Sequence, residues 1–346
     1  MRLRFGFALF ATLLLAPLSA LAGQAAAPSA APAAPLARPT LIEASAFTER
    51  SGLSELTLSP DGSKIALRTV PKDGKVTIGV LDAVTRKGEH NLAVPEKNEL
   101  DWFRWAGNRR LLVALSAQST FYGEEVRITR LFVYDLDKRS FTFIGKEDMG
   151  LDGDDVIHVD PDGQFVLLSM QRTIMDWPSV WRFPLDETAR KAGKKIQPER
   201  RDVWNWFADN KGVVRMGIEY LDSGRLRVLY RKDEIAAFRP IATFDSEKDD
   251  KKVLWQMLRI VTESDDGLIL DDDGSGNVVL RKFNYSTGMA GDTVYAQPGW
   301  DIDEVWIDED NKPVAAFYTD DRDKVVWFNP VMKTLQGKLD RALKDN

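Results

Sequence analysis

The chain contains no cysteine and only two histidines in 346 residues. Without cysteine there is no disulfide framework, no thiolate metal site and no cysteine nucleophile. A serine nucleophile on a strand-to-helix elbow requires Gly-x-Ser-x-Gly, and that pentapeptide does not occur. The nearest approach, Asp273-Gly274-Ser275-Gly276-Asn277, has the wrong spacing and reads as a polar hairpin turn. His90 and His158 both precede it, the reverse of the serine-first, histidine-last order of that elbow's triad, so no catalytic residue is assigned. Counted as a calcium loop from Asp271, position 12 is Lys282 where a glutamate is needed. Asp152-Gly153-Asp154-Asp155 and Asp320-Asp321-Arg322-Asp323 read as solvated turns. No His/Glu spacing suits zinc, and no glycine-rich loop precedes a helix. The expectation is therefore no metal and no cofactor. Helical periodicity is also scarce, confined to a short insertion at Asp186 to Gly193 and to Met332 to Leu343, with apolar residues at 332, 335, 339 and 343.

Apolar content is ample, at 44% hydrophobic against 29% charged, enough for a core without staples. Residues 1–22 read as a secretory signal peptide: Met1-Arg2-Leu3-Arg4 is basic, Phe5 to Leu18 is apolar but short for a membrane span, and Ala20-Leu21-Ala22 is a small-residue cleavage site. Residues 23–45, rich in Ala and Pro, read as a solvated linker. The mature chain is expected to be exported, periplasmic or secreted, with no membrane span after signal removal. Loss of Arg2 and Arg4 takes the net charge from −6 to −8, which disfavours nucleic acid as a partner.

The remaining chain repeats. Ser59-Pro60-Asp61-Gly62 reads as a tight turn, with proline presetting φ and glycine supplying a positive one. Related turns follow at Ala106-Gly107-Asn108-Arg109, Asp160-Pro161-Asp162-Gly163, Asp209-Asn210-Lys211-Gly212, Ser264-Asp265-Asp266-Gly267 and Glu309-Asp310-Asn311-Lys312, each before an apolar strand. A second signal, a strand closing in a polar residue, recurs at 82, 135, 186, 233, 284 and 329, intervals of 45 to 53 residues. That period fits one four-stranded blade of a β-propeller. The first unit shows strands at Glu55 to Leu58, Lys64 to Val70, Val76 to Leu81 and Glu89 to Val94. The fold is thus expected to be all-β, a β-propeller of about six four-stranded blades over 46–338 with a tail at 339–346; the sixth blade is expected to be incomplete, because Leu335 to Leu343 reads helical where its fourth strand belongs. Ten tryptophans fall mostly in leading and third strands and are expected to pack between blades.

Ser59-Pro60-Asp61-Gly62-Ser63-Lys64-Ile65-Ala66, Trp105-Ala106-Gly107-Asn108-Arg109-Arg110-Leu111-Leu112-Val113, Leu131-Phe132-Val133-Tyr134-Asp135-Leu136 and Val326-Trp327-Phe328-Asn329 resemble the propeller of bacterial prolyl oligopeptidase-family serine peptidases, the exported dipeptidyl- and acylaminoacyl-peptidase-like members above all. The resemblance covers about Ala46 to Asn346. It implies a non-catalytic propeller that gates access of peptide substrates to an α/β-hydrolase domain following it in sequence. Family propellers have seven or eight blades, so this chain is expected to be cut short before that domain. Dipeptidyl members hold the substrate amine with a glutamate pair from a propeller insertion, and Glu124 and Glu125, in Phe121-Tyr122-Gly123-Glu124-Glu125, resemble that pair; read from the residues alone, the stretch is an exposed hairpin. Two alternatives stand beside the peptidase reading: a self-standing periplasmic propeller that binds proteins or peptides, and a remnant without function. The residues do not give an oligomeric state.

Overall fold

Turn chemistry and alternation build six sheets in the computed structural model, which describes residues 52–70, 74–145, 150–186, 193–245, 256–308 and 310–343. Blade 1 is β1 (Leu53–Leu58), β2 (Lys64–Thr69), β3 (Thr77–Asp82) and β4 (Gly88–Ala93). Blade 2 is β5 (Asn98–Trp105), β6 (Arg110–Phe121), β7 (Glu124–Asp135) and β8 (Ser140–Phe143). Blade 3 is β9 (Asp155–Val159), β10 (Phe165–Met170), β11 (Ser179–Pro184) and β12 (Lys194–Gln197). Blade 4 is β13 (Val203–Ala208), β14 (Val214–Tyr220), β15 (Arg225–Tyr230) and β16 (Arg239–Asp245). Blade 5 is β17 (Gln256–Ile260), β18 (Asp266–Asp272), β19 (Val278–Asn284) and β20 (Met289–Tyr295). Blade 6 has three strands, β21 (Glu304–Ile307), β22 (Pro313–Thr319) and β23 (Asp323–Trp327). Within every blade, strands pair antiparallel with their sequence neighbours. The molecule is an all-β propeller.

The expected incompleteness of blade 6 has a visible cause. After β23, Asn329 caps a helix, α1 (Pro330–Ala342), its side chain accepting from the Val331 and Met332 amides. Proline at the first helical position fits that start, where no amide hydrogen is needed. The expected boundary at 338 therefore falls inside α1. The signal peptide, the linker, Trp255 and most of the expected helical insertion after Asp186 lie outside the described residues.

The turns after the first strand of each blade fall largely where the sequence puts them. In the first, Ser59 N–H donates to the Lys64 carbonyl and Gly62 N–H to that of Ser59. Blade 5 is the exception. There the Val261 amide bonds the Asp266 carbonyl, so the turn precedes Asp266 and Gly267 belongs to β18. The expected turn, Ser264-Asp265-Asp266-Gly267, thus lies too far along the chain: the left-handed position is taken by Glu263, at φ 57°.

Five apolar clusters hold consecutive blades together. Ala66, Ile78 and Val80 of blade 1 meet Leu111 and Val113 of blade 2. Leu112, Ala114 and Leu131 meet Val166, Leu168 and Phe183. Trp206 and Val214 meet Leu167 and Val180; Met216, Val228 and Tyr230 meet Ile269 and Phe283; and Leu268, Leu270 and Leu280 meet Val305 and Ala316. Blades pack on both faces, which is why their middle strands are apolar on both. Among the described residues no such cluster joins blade 6 to blade 1. Trp306, Phe317 and Trp327 touch one another on blade 6, with Trp306 46% exposed. Tryptophans 102, 105, 181 and 206 pack between blades as expected, whereas Trp204 and Trp300, like Trp306, are exposed.

Neighbouring turns also lock edge to edge. The Asp61 amide donates to Asn108 Oδ1 at 3.0 Å. Arg110 Nη1 donates to the Gly163 carbonyl at 2.9 Å. Gly163 has φ 67°, and a Cβ there would stand 2.3 Å from the Ala106 carbonyl oxygen, so both backbone and space demand glycine.

Candidate functional site

In an antiparallel meander, turns after first and third strands lie at one end of the blade and the turn after the second at the other. The β6–β7 turn therefore emerges at the end opposite the locked turns. These strands are twelve residues each and stay paired to the tip, where Phe121 opposes Glu124. Their neighbours stop short: β5 reaches only as far as Ala117, and β8 pairs with β7 only at Phe132 to Asp135. Gln118 to Arg127 thus forms a two-stranded arm beyond the sheet. At its tip Tyr122 is 93% exposed and meets Phe121 edge-on.

The ladder sorts the arm's side chains into two faces, since directly opposed residues share one. Phe121 and Glu124, Ser119 and Val126, Ala117 and Ile128, and Leu115 and Arg130 share the first. Thr120 and Glu125, Gln118 and Arg127, and Ser116 and Thr129 share the second. Glu124 and Glu125 are therefore both exposed at the tip but on opposite faces, because adjacent strand residues alternate. Arg127 ties the second face to β5 by an ion pair with Asp101, which also accepts from Ser116 Oγ at 2.9 Å.

The first face overlooks a cleft of about 360 Å³. Its walls are Phe121 and Val126 of the arm and Ile128 and Arg130 at the arm's base, with Leu151 and the Arg172-to-Ile174 loop of blade 3. Arg130 Nη1 donates to the Thr129 and Leu151 carbonyls at 2.6 and 3.1 Å, which fixes the guanidinium at the arm's base. Burial pulls the Arg130 pKa down, and the nearby Asp152 carboxylate opposes that shift. Arg172 is exposed, with its guanidinium 5.7 Å from the Trp181 ring centre. A larger cavity, about 580 Å³, lies between the outer strands of blade 5 and Asn311 of blade 6; its lining has no arginine, whereas the arm cleft is lined by Arg130 on one side and Arg172 on the other.

Beneath the cleft, Asp154 is a hub. Its Oδ1 accepts from Thr129 Oγ1 at 2.5 Å and its Oδ2 from Trp102 Nε1 at 3.0 Å, while the buried Gly153 amide donates to Thr129 Oγ1. The stretch expected to be a solvated turn is instead the clamp between blades 2 and 3. Next to it, Asp155 keeps contact with water yet is crowded by protein, and its pKa is pushed up to about 6 by burial, with the charges of Asp154 and Asp152 adding to the shift. Arg104 sits 4.2 Å over the Trp102 ring and faces this acidic group.

The histidines have structural settings. His90 Nδ1 lies 3.1 Å from the Tyr134 hydroxyl. His158 packs against Phe165 and beside Gly212, and burial lowers its pKa. Asp273-Gly274-Ser275-Gly276-Asn277 is the β18–β19 turn, with Asp273 Oδ1 accepting from the Ser275 amide and hydroxyl. The sequence does not single out Arg130 and Arg172, and it marks Asp154 only as part of an acidic turn; the signal that points to the arm is the apolar-polar alternation of Val126 to Thr129 after Tyr122-Gly123.

No family model matches the chain, and no curated protein does. Solved structures do. An acylaminoacyl peptidase in complex with Z-Gly-Gly-Phe-chloromethyl ketone matches at 14% identity and a TM-score of 0.48, over 82% of this chain and 46% of that one. The acylaminoacyl peptidase of Pyrococcus horikoshii matches at 14% identity and 0.45, over 83% and 47%. The β-propeller domain of the Trilobed protease from Pyrococcus furiosus matches at 15% identity and 0.41, over 81% and 86%. The chain spans about half the length of the two acylaminoacyl peptidases. At such identities the likeness is one of fold and carries no activity across.

Proposed function

We propose that this chain is a non-catalytic, peptide-recognising propeller, the substrate-gating portion of an exported prolyl oligopeptidase-family serine peptidase. The observation that carries peptide recognition is the blade 2 arm: a paired ribbon standing clear of its sheet, with a cleft at its base that joins an apolar wall to two arginines, Arg130 and Arg172. Clefts of this size with a few placed polar groups suit a short stretch of chain rather than a folded surface. The peptidase context rests on the motif resemblance of the blades. Glu124, on the cleft face, and Glu125, on the other, remain the candidates for meeting a substrate amine, each acting separately.

The same arm serves the second reading, a self-standing periplasmic propeller that binds proteins or peptides. The reading frame after Asn346 separates the two. A hydrolase domain encoded there, whose specificity for short over folded substrates is lost when the propeller is removed, supports gating; a stop codon together with saturable peptide binding supports the second reading. Turnover of an aminoacyl- or acyl-peptide by this chain alone overturns both.

A further inference from the structure

We infer that the arm cleft holds an extended peptide by a carboxylate, gripped between Arg130 and Arg172. The inference rests on the peptide-recognition reading above and adds the chemistry of the ligand.

Three features converge. First, two arginines from different blades line the same cleft, Arg130 from β7 and Arg172 from the β10–β11 connection. A guanidinium presents its N–H groups as a planar fork that matches a carboxylate, and it remains charged even where burial lowers its pKa, as at Arg130. Arg130 spends Nη1 on two carbonyls that hold it in place, which presets its direction before any ligand arrives. Second, the apolar part of the wall, Phe121, Val126 and Ile128, runs from the cations toward the arm tip. That is a track for the apolar portions of an extended segment. Third, β7 offers a backbone edge. The Thr129 amide points away from β6 and donates to the Leu151 carbonyl, so by the two-residue period the Arg127 and Glu125 amides also point away from β6. Among the described residues no strand pairs with them on that side, since β8 pairs only with Phe132 to Asp135. An extended peptide can add to this edge as a strand, main chain to main chain, with alternate side chains turned into the cleft.

The acidic groups nearby set the limits. Asp152 lies close enough to Arg130 to interact with it, and Glu124 shares the cleft face but stands at the tip, six residues from Arg130 and so about 20 Å along the strand. Asp176 accepts from the Thr173 amide and hydroxyl on the facing wall, so a ligand carboxylate near the base meets the charges of Arg130 and Arg172 against those of Asp152 and Asp176.

The test is fluorescence anisotropy of the full chain with short labelled, N-acetylated alanine-glycine peptides in three forms: a free C-terminal carboxylate, a C-terminal amide, and a C-terminal amide with one internal aspartate. The carboxylate-bearing forms are expected to bind roughly tenfold more tightly than the plain amide, with the advantage shrinking as salt rises. Arg172→Ala, on an exposed loop, should abolish that advantage with an unchanged thermal midpoint; Arg130→Gln should do the same and also lower the midpoint. A gain for the free terminus alone assigns the site to peptide ends, and a gain for aspartate alone to side chains. If all three peptides bind equally, or Arg172→Ala leaves the preference intact, carboxylate recognition is wrong while peptide recognition stands. If none binds, the peptide reading falls and this inference with it.

Discussion

Arg215 shows what single residues contribute to joining the blades. It is 1% exposed, and its Nη1 donates to Asp209 Oδ2 at 3.1 Å, its Nε to the Arg231 carbonyl at 2.9 Å and its Nη2 to the Ser264 carbonyl at 2.9 Å. Tyr230 closes the group by donating to Asp265 Oδ1 at 2.7 Å, and burial raises its pKa. The cluster bonds blade 4 to the turn of blade 5. Removing one partner strands a buried charge, so Asp209→Ala is expected to cost about 3–5 kcal/mol in chemical denaturation, and Asp209→Leu combined with Arg215→Met to recover much of it. Asp155 yields a pH signature. Its folded pKa of about 6 lies above the ordinary 3.8, so the protonated form is favoured by folding. The stability it contributes is complete below about pH 4 and is lost as pH rises through about 6. Melting temperature measured from pH 4 to 8 should therefore show Asp155→Asn gaining on the native chain across that window and holding its gain above it; a pH-independent difference contradicts the assignment.

At the scale of elements, the arm is separable from the blade that carries it. Beyond Ala117 and Ile128 its side chains are mostly exposed, and its apolar contacts belong to the cleft rather than to an inter-blade cluster. Replacing Gln118 to Arg127 by a tight turn should leave the thermal midpoint within a few degrees and eliminate peptide binding; retained binding places recognition elsewhere. Much of the element layout was legible in the residues. Ser59-Pro60-Asp61-Gly62 specifies its turn because proline fixes φ and glycine alone takes the positive φ without strain, and Pro330 after Asn329 marks a helix start because its fixed φ suits the first helical position. The blade 5 turn was misplaced because Glu263 adopts a left-handed angle without a glycine to announce it. The cleft was not legible at all. Arg130 and Arg172 are distant in sequence and meet only through blade stacking, and Asp154 looks like a solvated acid until Thr129 and Trp102 are placed beside it.

For the whole molecule, the blades form the scaffold on which the proposed peptide recognition rests. The inter-blade clusters and locked turns account for its order. The histidines are spent on packing, and the serine between glycines is spent on a hairpin. Peptide recognition without catalysis is the central claim, and one measurement tests it most directly. The full chain is incubated with a labelled acyl-peptide, following anisotropy and product release in the same sample. The expected result is saturable binding with no product at any time. Product formed by the chain alone, or no binding at any concentration, contradicts the claim.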